Sequence, residues 1–294
     1  MSRYAILSDV HGNLEALQAA LDDLKGRDVK EIWFLGDLVG YGPDPVECVQ
    51  VLLGQQDWQV RGVRGNNDQA VIEGAAATLS RLVNDLVTRH RVVMDAQRRM
   101  LIEATERSHE WTLQMLAGTE EHELLKNLTE LQSGPVSVDG AVLMHASPCD
   151  PGGREGNYLR TPADAEEAFV CDEGFRIGFF GHTHHAGVFR QFTTARMYDN
   201  VQYCSARETQ EFSLGDQRVL INPGSVGQPR DGDWRAAYAV YDTDGQRRVE
   251  FYRVEYDRDR TIGKLRALCD PQQGGDGSLT SMIDVLVQRL QEAG

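Results

Sequence analysis

The chain has 294 residues, 41% of them hydrophobic and 26% charged, with 29 glycines and 9 prolines. That length carries a large α/β domain with a sizeable core, and the composition excludes collagen-like and intrinsically disordered chains. Lys and Arg total 30 against 45 Asp and Glu, a formal net charge of −15, which repels polyanions and excludes a broad, patch-driven binder of extended nucleic acid. A small anionic ligand would need a local source of positive charge.

No run of about 18 apolar residues is present, so no membrane-spanning helix is expected. The first apolar stretch stops before Asp9, too short for a signal-peptide core. The five cysteines (Cys48, Cys149, Cys171, Cys204 and Cys269) are odd in number, widely spaced and without a Cys-x-x-Cys pair. That spacing argues against a disulfide framework and a thiolate zinc site, and a cytoplasmic protein is the expectation.

In chain order, Arg3 to Ser8 reads as a buried strand, and Asn13 to Lys25 as a helix with Leu14, Leu17, Leu21 and Leu24 at helical spacing. Glu31 to Leu35 is a second strand. Pro45 to Leu53 is a second helix with Pro45 suited to the first turn, and Gln59 to Arg64 a third strand. This rhythm predicts βαβ units in a parallel sheet. Residues 75 to 132 are nearly free of β signals and predict two to four helices, a helical insertion. Within it, Trp111 and Met115 read as core, and His90, His109 and His122 as structural helix residues; the basic stretch 81–99 reads as a solvated face. Sheet signals return at 141–144, 176–180 and 219–221, with Thr161 capping a helix to about Val170. From Val188 to Tyr256 alternation predicts antiparallel strands broken at Asp244-Gly245. Two helices, 261–268 and 279–291, flank a Gly-rich break. The organisation expected is one α/β domain over 1–260 with the tail 261–294 packed on it.

Polar residues fall at the ends of these strands. Asp9 and His11 follow the first, Asp37 the second, and Asn66, Asn67 and Asp68 the third. His145 ends the AVLM run, and His182 and His184 end RIGFF. Asp9 to Asp37 spans 28 residues and Asp37 to Asn66 spans 29, the pitch of a βα repeat. The expectation is one carboxyl edge of a sheet, where open α/β folds place their sites. Two carboxylates, one amide and four imidazoles suit divalent ions that accept oxygen and nitrogen donors, namely Mn²⁺ first, with Fe²⁺, Zn²⁺, Ni²⁺ or Mg²⁺ as alternatives. These donors exceed what one ion takes up, and two ions sharing a carboxylate fit them.

The blocks Asp9-x-His11, Gly36-Asp37, Gly65-Asn66-x-Asp68, His145 and Gly181-His182-x-His184 resemble the calcineurin-like metallophosphoesterase superfamily. Its compact bacterial phosphodiesterase-like branch is the nearer likeness, through SDVHGNLEAL, GDLVGYGPDP, GHTHH and INPGSVGQPRDGDWRAAYAVYD. The likeness covers residues 3–72 and 140–256. It implies central β-sheets flanked by helices, in a sandwich with a helical insertion. It also implies that Asp9, His11, Asp37 and His184 hold one ion, and that Asp37 as the bridge, Asn66, His145 and His182 hold the other. A hydroxide spanning the ions would attack phosphorus in line.

One position departs from the pattern. Where the family has histidine after the ligand asparagine, read as the general acid, this chain has Asn67. An amide has no proton to give, and general acid catalysis contributes roughly 10²–10⁴-fold. The expectation is therefore a phosphodiesterase or nucleotide hydrolase acting on good leaving groups, with a histidine at 67 restoring activity on poor ones. Alternatives are a phosphomonoesterase or protein phosphatase, or a non-catalytic metal-binding scaffold. Asp68 is read as orienting a catalytic neighbour or making a turn. Asn13 is read as a helix cap with a possible phosphate contact. Arg154, Arg160 and Arg230 are candidate grips for a phosphate, His185 is a packing or surface residue, and Asn222 to Ser225 is a turn beneath the site.

Overall fold

The computed structural model describes residues 2–74, 96–117, 122–156, 158–192, 200–207, 210–245 and 247–292. Strands β1 (Arg3–Leu7), β2 (Glu31–Phe34) and β3 (Gln59–Gly62) alternate with helices α1 (Leu14–Leu24) and α2 (Pro45–Leu53), as the leucine spacing and Pro45 predict. A short helix, α3 (Asn66–Ile72), starts at the residues that follow β3. Then come α4 (Ala96–Ala117), α5 (His122–Glu130), β4 (Val136–Val138), β5 (Ala141–Leu143), α6 (Pro162–Cys171) and β6 (Ile177–Phe179). Strands β7 (Gly187–Gln191), β8 (Val201–Ser205), β9 (Glu211–Ser213), β10 (Arg218–Asn222), β11 (Ala236–Asp242) and β12 (Arg248–Val254) precede the helices α7 (Arg258–Ala267) and α8 (Thr280–Glu292).

The strands form two six-stranded sheets, ordered β3-β2-β1-β11-β12-β9 and β4-β5-β6-β10-β7-β8. The parallel βαβ reading holds for β1, β2 and β3, while β11 joins β1 antiparallel. In the second sheet β5, β6 and β10 are parallel, with antiparallel neighbours on both sides. The expectation of one sheet edge is thus corrected to two sheets, because β5 and β6 pair with each other and with β10 rather than with β1 to β3.

Side-chain alternation explains the layering. Tyr4 and Ile6 on β1 point into the seam between the sheets, with Trp33, Phe179, Tyr241 and Phe251; Ala5 and Leu7 point outward onto Leu17, Leu21, Val49 and Leu52 of α1 and α2. Trp33 stacks on Tyr4 at 4.1 Å and meets Phe179 of the other sheet edge-on at 5.9 Å. Buried side chains of this kind contribute about 1.5–3 kcal/mol each. Thr161 caps α6, which lays Ala165, Ala168 and Phe169 on the outer face of the second sheet. In the tail, Ile262, Leu265, Met282, Ile283 and Leu286 pack with Ala104 of α4.

Two readings change. Met115 is 42% exposed, whereas Trp111 is buried as expected. Cys149 and Cys171 form a disulfide with Cα atoms 5.4 Å apart, although their spacing argued against one. Their proximity comes from the loop after β5 returning to the end of α6, which no spacing rule encodes. Strand β4 lies just beyond the stretch 75–132 read as helical, in a segment without a predicted element, whereas β8 and β9 fall within the span 188–256 read as antiparallel strands. His90 and most of the basic stretch 81–99 lie outside the described residues. Among the described residues, no helix is long and apolar enough to cross a membrane.

Candidate metal centre

The loops after β1, β2 and β3 meet the loops after β5 and β6 across the seam of the two sheets. Two groups of buried donors result: Asp9, His11 and His184, and Asp37, His145 and His182. Nε2 of His11 faces Nε2 of His184 at 3.1 Å, and His184 Nε2 lies 3.2 Å from Asp9 Oδ1. In the other group His145 Nε2 lies 3.2 Å from His182 Nδ1, 3.0 Å from Asn66 Oδ1 and 3.4 Å from Asp37 Oδ2. Asp37 Oδ2 is also 3.8 Å from His11 Nε2, so Asp37 stands between the groups.

The inner nitrogens are aimed by backbone carbonyls behind them. His145 Nδ1 is 2.8 Å from Leu35 O and His184 Nδ1 2.5 Å from Gln228 O, while His11 Nδ1 has a longer contact, 3.4 Å, to Val39 O. With Nδ1–H donating outward, the Nε2 lone pairs point at each other, an arrangement that favours a cation between them. The donor chemistry therefore fits divalent metal ions.

Strained backbone supports this convergence. Asp9, His11, Asp37, His182 and His184 all have φ between 50° and 63°, a region that costs non-glycine residues on the order of 1–3 kcal/mol each. The glycine of Gly65-Asn66 is demanded by close approach, since a Cβ there would lie 2.0 Å from Asp37 Oδ1 and 2.5 Å from Asp37 N. Asp68 accepts from the backbone N–H groups of Asp37 (2.8 Å), Leu38 (2.8 Å), Val39 (3.1 Å) and Gly65 (3.1 Å), and so fixes the ligand loops rather than facing the donors. Below the centre, Ser225 Oγ donates to Asp9 O at 2.7 Å and Asn222 Nδ2 to Gly181 O at 2.8 Å.

Electrostatics follow from burial and from Asp37. Burial pushes His11 and His182 down to about 3, and burial with Arg230 pushes His184 well down. Burial also opposes the charged form of His145, yet the adjacent Asp37 carboxylate outweighs it and raises His145 to about 9. Asp37 itself is held well below the carboxylate range: burial works the other way, and the imidazoles of His145 and His11 prevail. Asp9 is raised by burial. Burial and Asp37 push Asp68 up to about 7 against its backbone donors.

The predicted outer residues separate. Asn13 caps α1 through Oδ1, 3.2 Å from Ala16 N, and its amide donates to Gly227 O and Tyr256 Oη at 2.8 and 3.2 Å, which commits it to structure. Arg154 pairs with Glu73 at 3.1 Å. Arg160 lies over Tyr158 at 4.4 Å, and Tyr158 stacks on His182 at 4.3 Å. Arg230 donates its backbone N–H to His184 O at 3.2 Å. His185 Nδ1 bonds within its own turn, 2.6 Å from Thr183 O.

Two neighbours went unread. Tyr41, 4.6 Å from the His11 ring, follows GDLVG without any periodic signal. His109, read as a structural helix residue, is buried with Nε2 2.6 Å from Asn67 Oδ1. Only the course of α4 over α3 brings it there.

Comparison with known proteins agrees with this arrangement. The sequence pattern of the calcineurin-like phosphoesterase superfamily domain matches residues 3–246. An uncharacterized protein of Methanocaldococcus jannaschii is 30% identical over 270 residues, 90% of this chain and 92% of its own length. A metallophosphoesterase from Sphaerobacter thermophilus, known from a crystal structure, is 33% identical with a TM-score of 0.71, covering 100% of this chain and 99% of its own. A symmetrical bis(5'-nucleosyl)-tetraphosphatase of Buchnera aphidicola is 42% identical over 69 residues, 23% of this chain and 24% of its own length. By its matched domain, its buried donor groups and its two-sheet architecture, the chain belongs to the calcineurin-like phosphoesterase superfamily.

Proposed function

We propose that the chain is a metal-dependent phosphodiesterase or nucleotide hydrolase in which Asp9, His11, Asp37 and His184 hold one divalent ion and Asp37, Asn66, His145 and His182 a second. The observation that carries this reading is the facing of imidazole nitrogens, 3.1 Å in one group and 3.2 Å in the other, with Asp37 between them. Oxygen–nitrogen donors suit Mn²⁺, and bound ions of this class supply Lewis acidity and activation of water.

The chain's own residues decide the class of ester. Asn67 N donates to Asp37 Oδ1 at 2.8 Å and its side-chain amide to Asp37 Oδ2 at 2.5 Å, so Asn67 orients a ligand and has no proton to lend a leaving group. Esters that need no such help, aryl or cyclic diesters and phosphoanhydrides, lose least. The name of the Buchnera relative, a tetraphosphatase, falls in that class. Arg160 above Tyr158 and Arg230 beside His184 supply charge for a phosphoryl group in an otherwise acidic molecule.

A panel of aryl diesters, cyclic nucleotides, dinucleoside polyphosphates and alkyl monoesters with added Mn²⁺ tests the proposal. Diesters or anhydrides should turn over faster than alkyl monoesters, and Asp37→Ala or His184→Ala should lower the rate at least about a hundredfold. Faster monoester turnover would overturn the leaving-group assignment. An inert panel would favour a metal-binding scaffold.

A further inference from the structure

Many cations in this acidic chain have carboxylate partners, among them Arg27 with Asp23 at 2.8 Å, Arg235 with Asp233 at 2.7 Å, Arg253 with Asp231, and Lys264 with Asp44 at 2.9 Å. Among the described residues, Arg230 and Arg289, beside the metal centre, show no such partner. The Arg230 guanidinium hydrogen-bonds only the neutral amide of Gln228, at 3.1 Å. Nη1 of Arg289, on α8, is buried with no hydrogen-bond partner, and its guanidinium lies 5.2 Å above the Tyr41 ring.

Both charges border the same pair of imidazoles, His11 and His184. Arg230 donates its backbone N–H to His184 O at 3.2 Å, and Gln228, which its guanidinium bonds, holds His184 Nδ1 through its backbone oxygen at 2.5 Å. Tyr41 links Arg289 to His11, the other imidazole of that group. Two half-buried guanidinium groups without a carboxylate hydrogen-bond partner favour an anion between them, and guanidinium forks match phosphoryl oxygens.

We propose that Arg230 and Arg289 form an anion subsite beside the Asp9–His11–His184 group that takes a second, non-reacting phosphoryl group of the substrate. The preferred substrates are then phosphoesters or anhydrides with at least two phosphoryl groups in a chain. The C-terminal helix α8 becomes part of the specificity apparatus. This rests on the phosphoesterase reading for the reacting centre, whereas anion binding at the arginines does not depend on turnover.

Two measurements test it. Calorimetric titration of metal-free protein with inorganic pyrophosphate should show binding that Arg289→Gln weakens at least about tenfold and Arg289→Lys weakens less. With Mn²⁺ present, Arg289→Gln should lower the ratio of kcat/KM for a dinucleoside polyphosphate to that for a bis-aryl phosphate at least about tenfold. Pyrophosphate binding insensitive to Arg289→Gln, or an equal fall on both substrates, overturns the subsite. If the wild-type protein hydrolyses neither ester, the phosphoesterase reading fails, and the titration alone decides the subsite.

Discussion

His109 Nε2 lies 2.6 Å from Asn67 Oδ1, and the amide of the same Asn67 donates to Asp37 at 2.5 Å. Because Asp37 must receive the NH₂ side of the amide, Oδ1 faces His109, which places the imidazole hydrogen on Nε2. Residues of the inserted helix and of the ligand loops are thereby joined through one side chain. His109 Nδ1 is buried without a hydrogen-bond partner among the described residues, so protonating this ring adds a charge to a site with nothing to receive it.

Acid sensitivity follows from that burial. Burial depresses His109 to about 4, below the ordinary value of 6.5. The unfolded chain then binds more protons between those two values, so stability falls as pH drops from about 6.5 towards 4, by at most about 3 kcal/mol for this ring. Urea denaturation of metal-free protein at pH 7 and pH 4.5 should show a smaller acid loss in His109→Gln than in the wild type. Equal losses would contradict the assignment.

The pair also offers a way to restore an acid. Asn67→His alone would press two imidazoles together, whereas the exchange of Asn67→His with His109→Asn keeps one ring and one amide. The double variant should raise turnover of alkyl monoesters relative to aryl diesters by about 10–10²-fold, part of what general acid catalysis contributes. Steady-state kinetics on both ester types gives the ratio.

Asp68 should be needed as a carboxylate. Each carboxylate oxygen accepts two backbone N–H groups, Oδ2 from Asp37 and Gly65 and Oδ1 from Leu38 and Val39. Asp68→Asn turns an NH₂ group onto two of those donors, leaving buried N–H groups unsatisfied, at a cost of about 1–3 kcal/mol for each. Thermal or urea unfolding should register the loss, and Mn²⁺ affinity should fall with it because the Asp37 loop is no longer fixed.

Gly65→Ala should be poorly tolerated for a steric reason. The added Cβ would meet Asp37 Oδ1 at 2.0 Å and Asp37 N at 2.5 Å, which forces β2 and β3 apart at their ends. Overpacking of this kind costs roughly 1–3 kcal/mol. Metal affinity should fall more than stability, since the displaced group is a candidate ligand.

The candidate centre was legible because its chemistry sits at strand ends. Asp9, Asp37, Asn66, His145 and His182 each follow a short apolar run, and sequence order alone separates them by βα units. What stayed hidden depends on three-dimensional course. His109 lies on α4 among residues with helical spacing, and nothing local distinguishes it from a surface histidine. Arg289 is a cation on an amphipathic tail helix until α8 is seen near Tyr41. Asn13 carried a correct local signal, the helix cap, and Gly227 and Tyr256 absorb its remaining hydrogen-bonding capacity. The division into two sheets could not be read because a strand's sequence does not name its neighbour.

That division has a mechanical meaning. Asp9, His11, Asp37 and Asn66 extend from the first sheet, and His145, His182 and His184 from the second, so each donor group straddles the seam. A cation seated there is a rivet between the two halves of the sandwich as well as a reagent. Its binding energy becomes folding energy, about 2.7 kcal/mol once free metal reaches a hundred times its dissociation constant. Stripping the ion would therefore loosen the molecule along one line, where the sheets face each other, and reloading it would draw them shut.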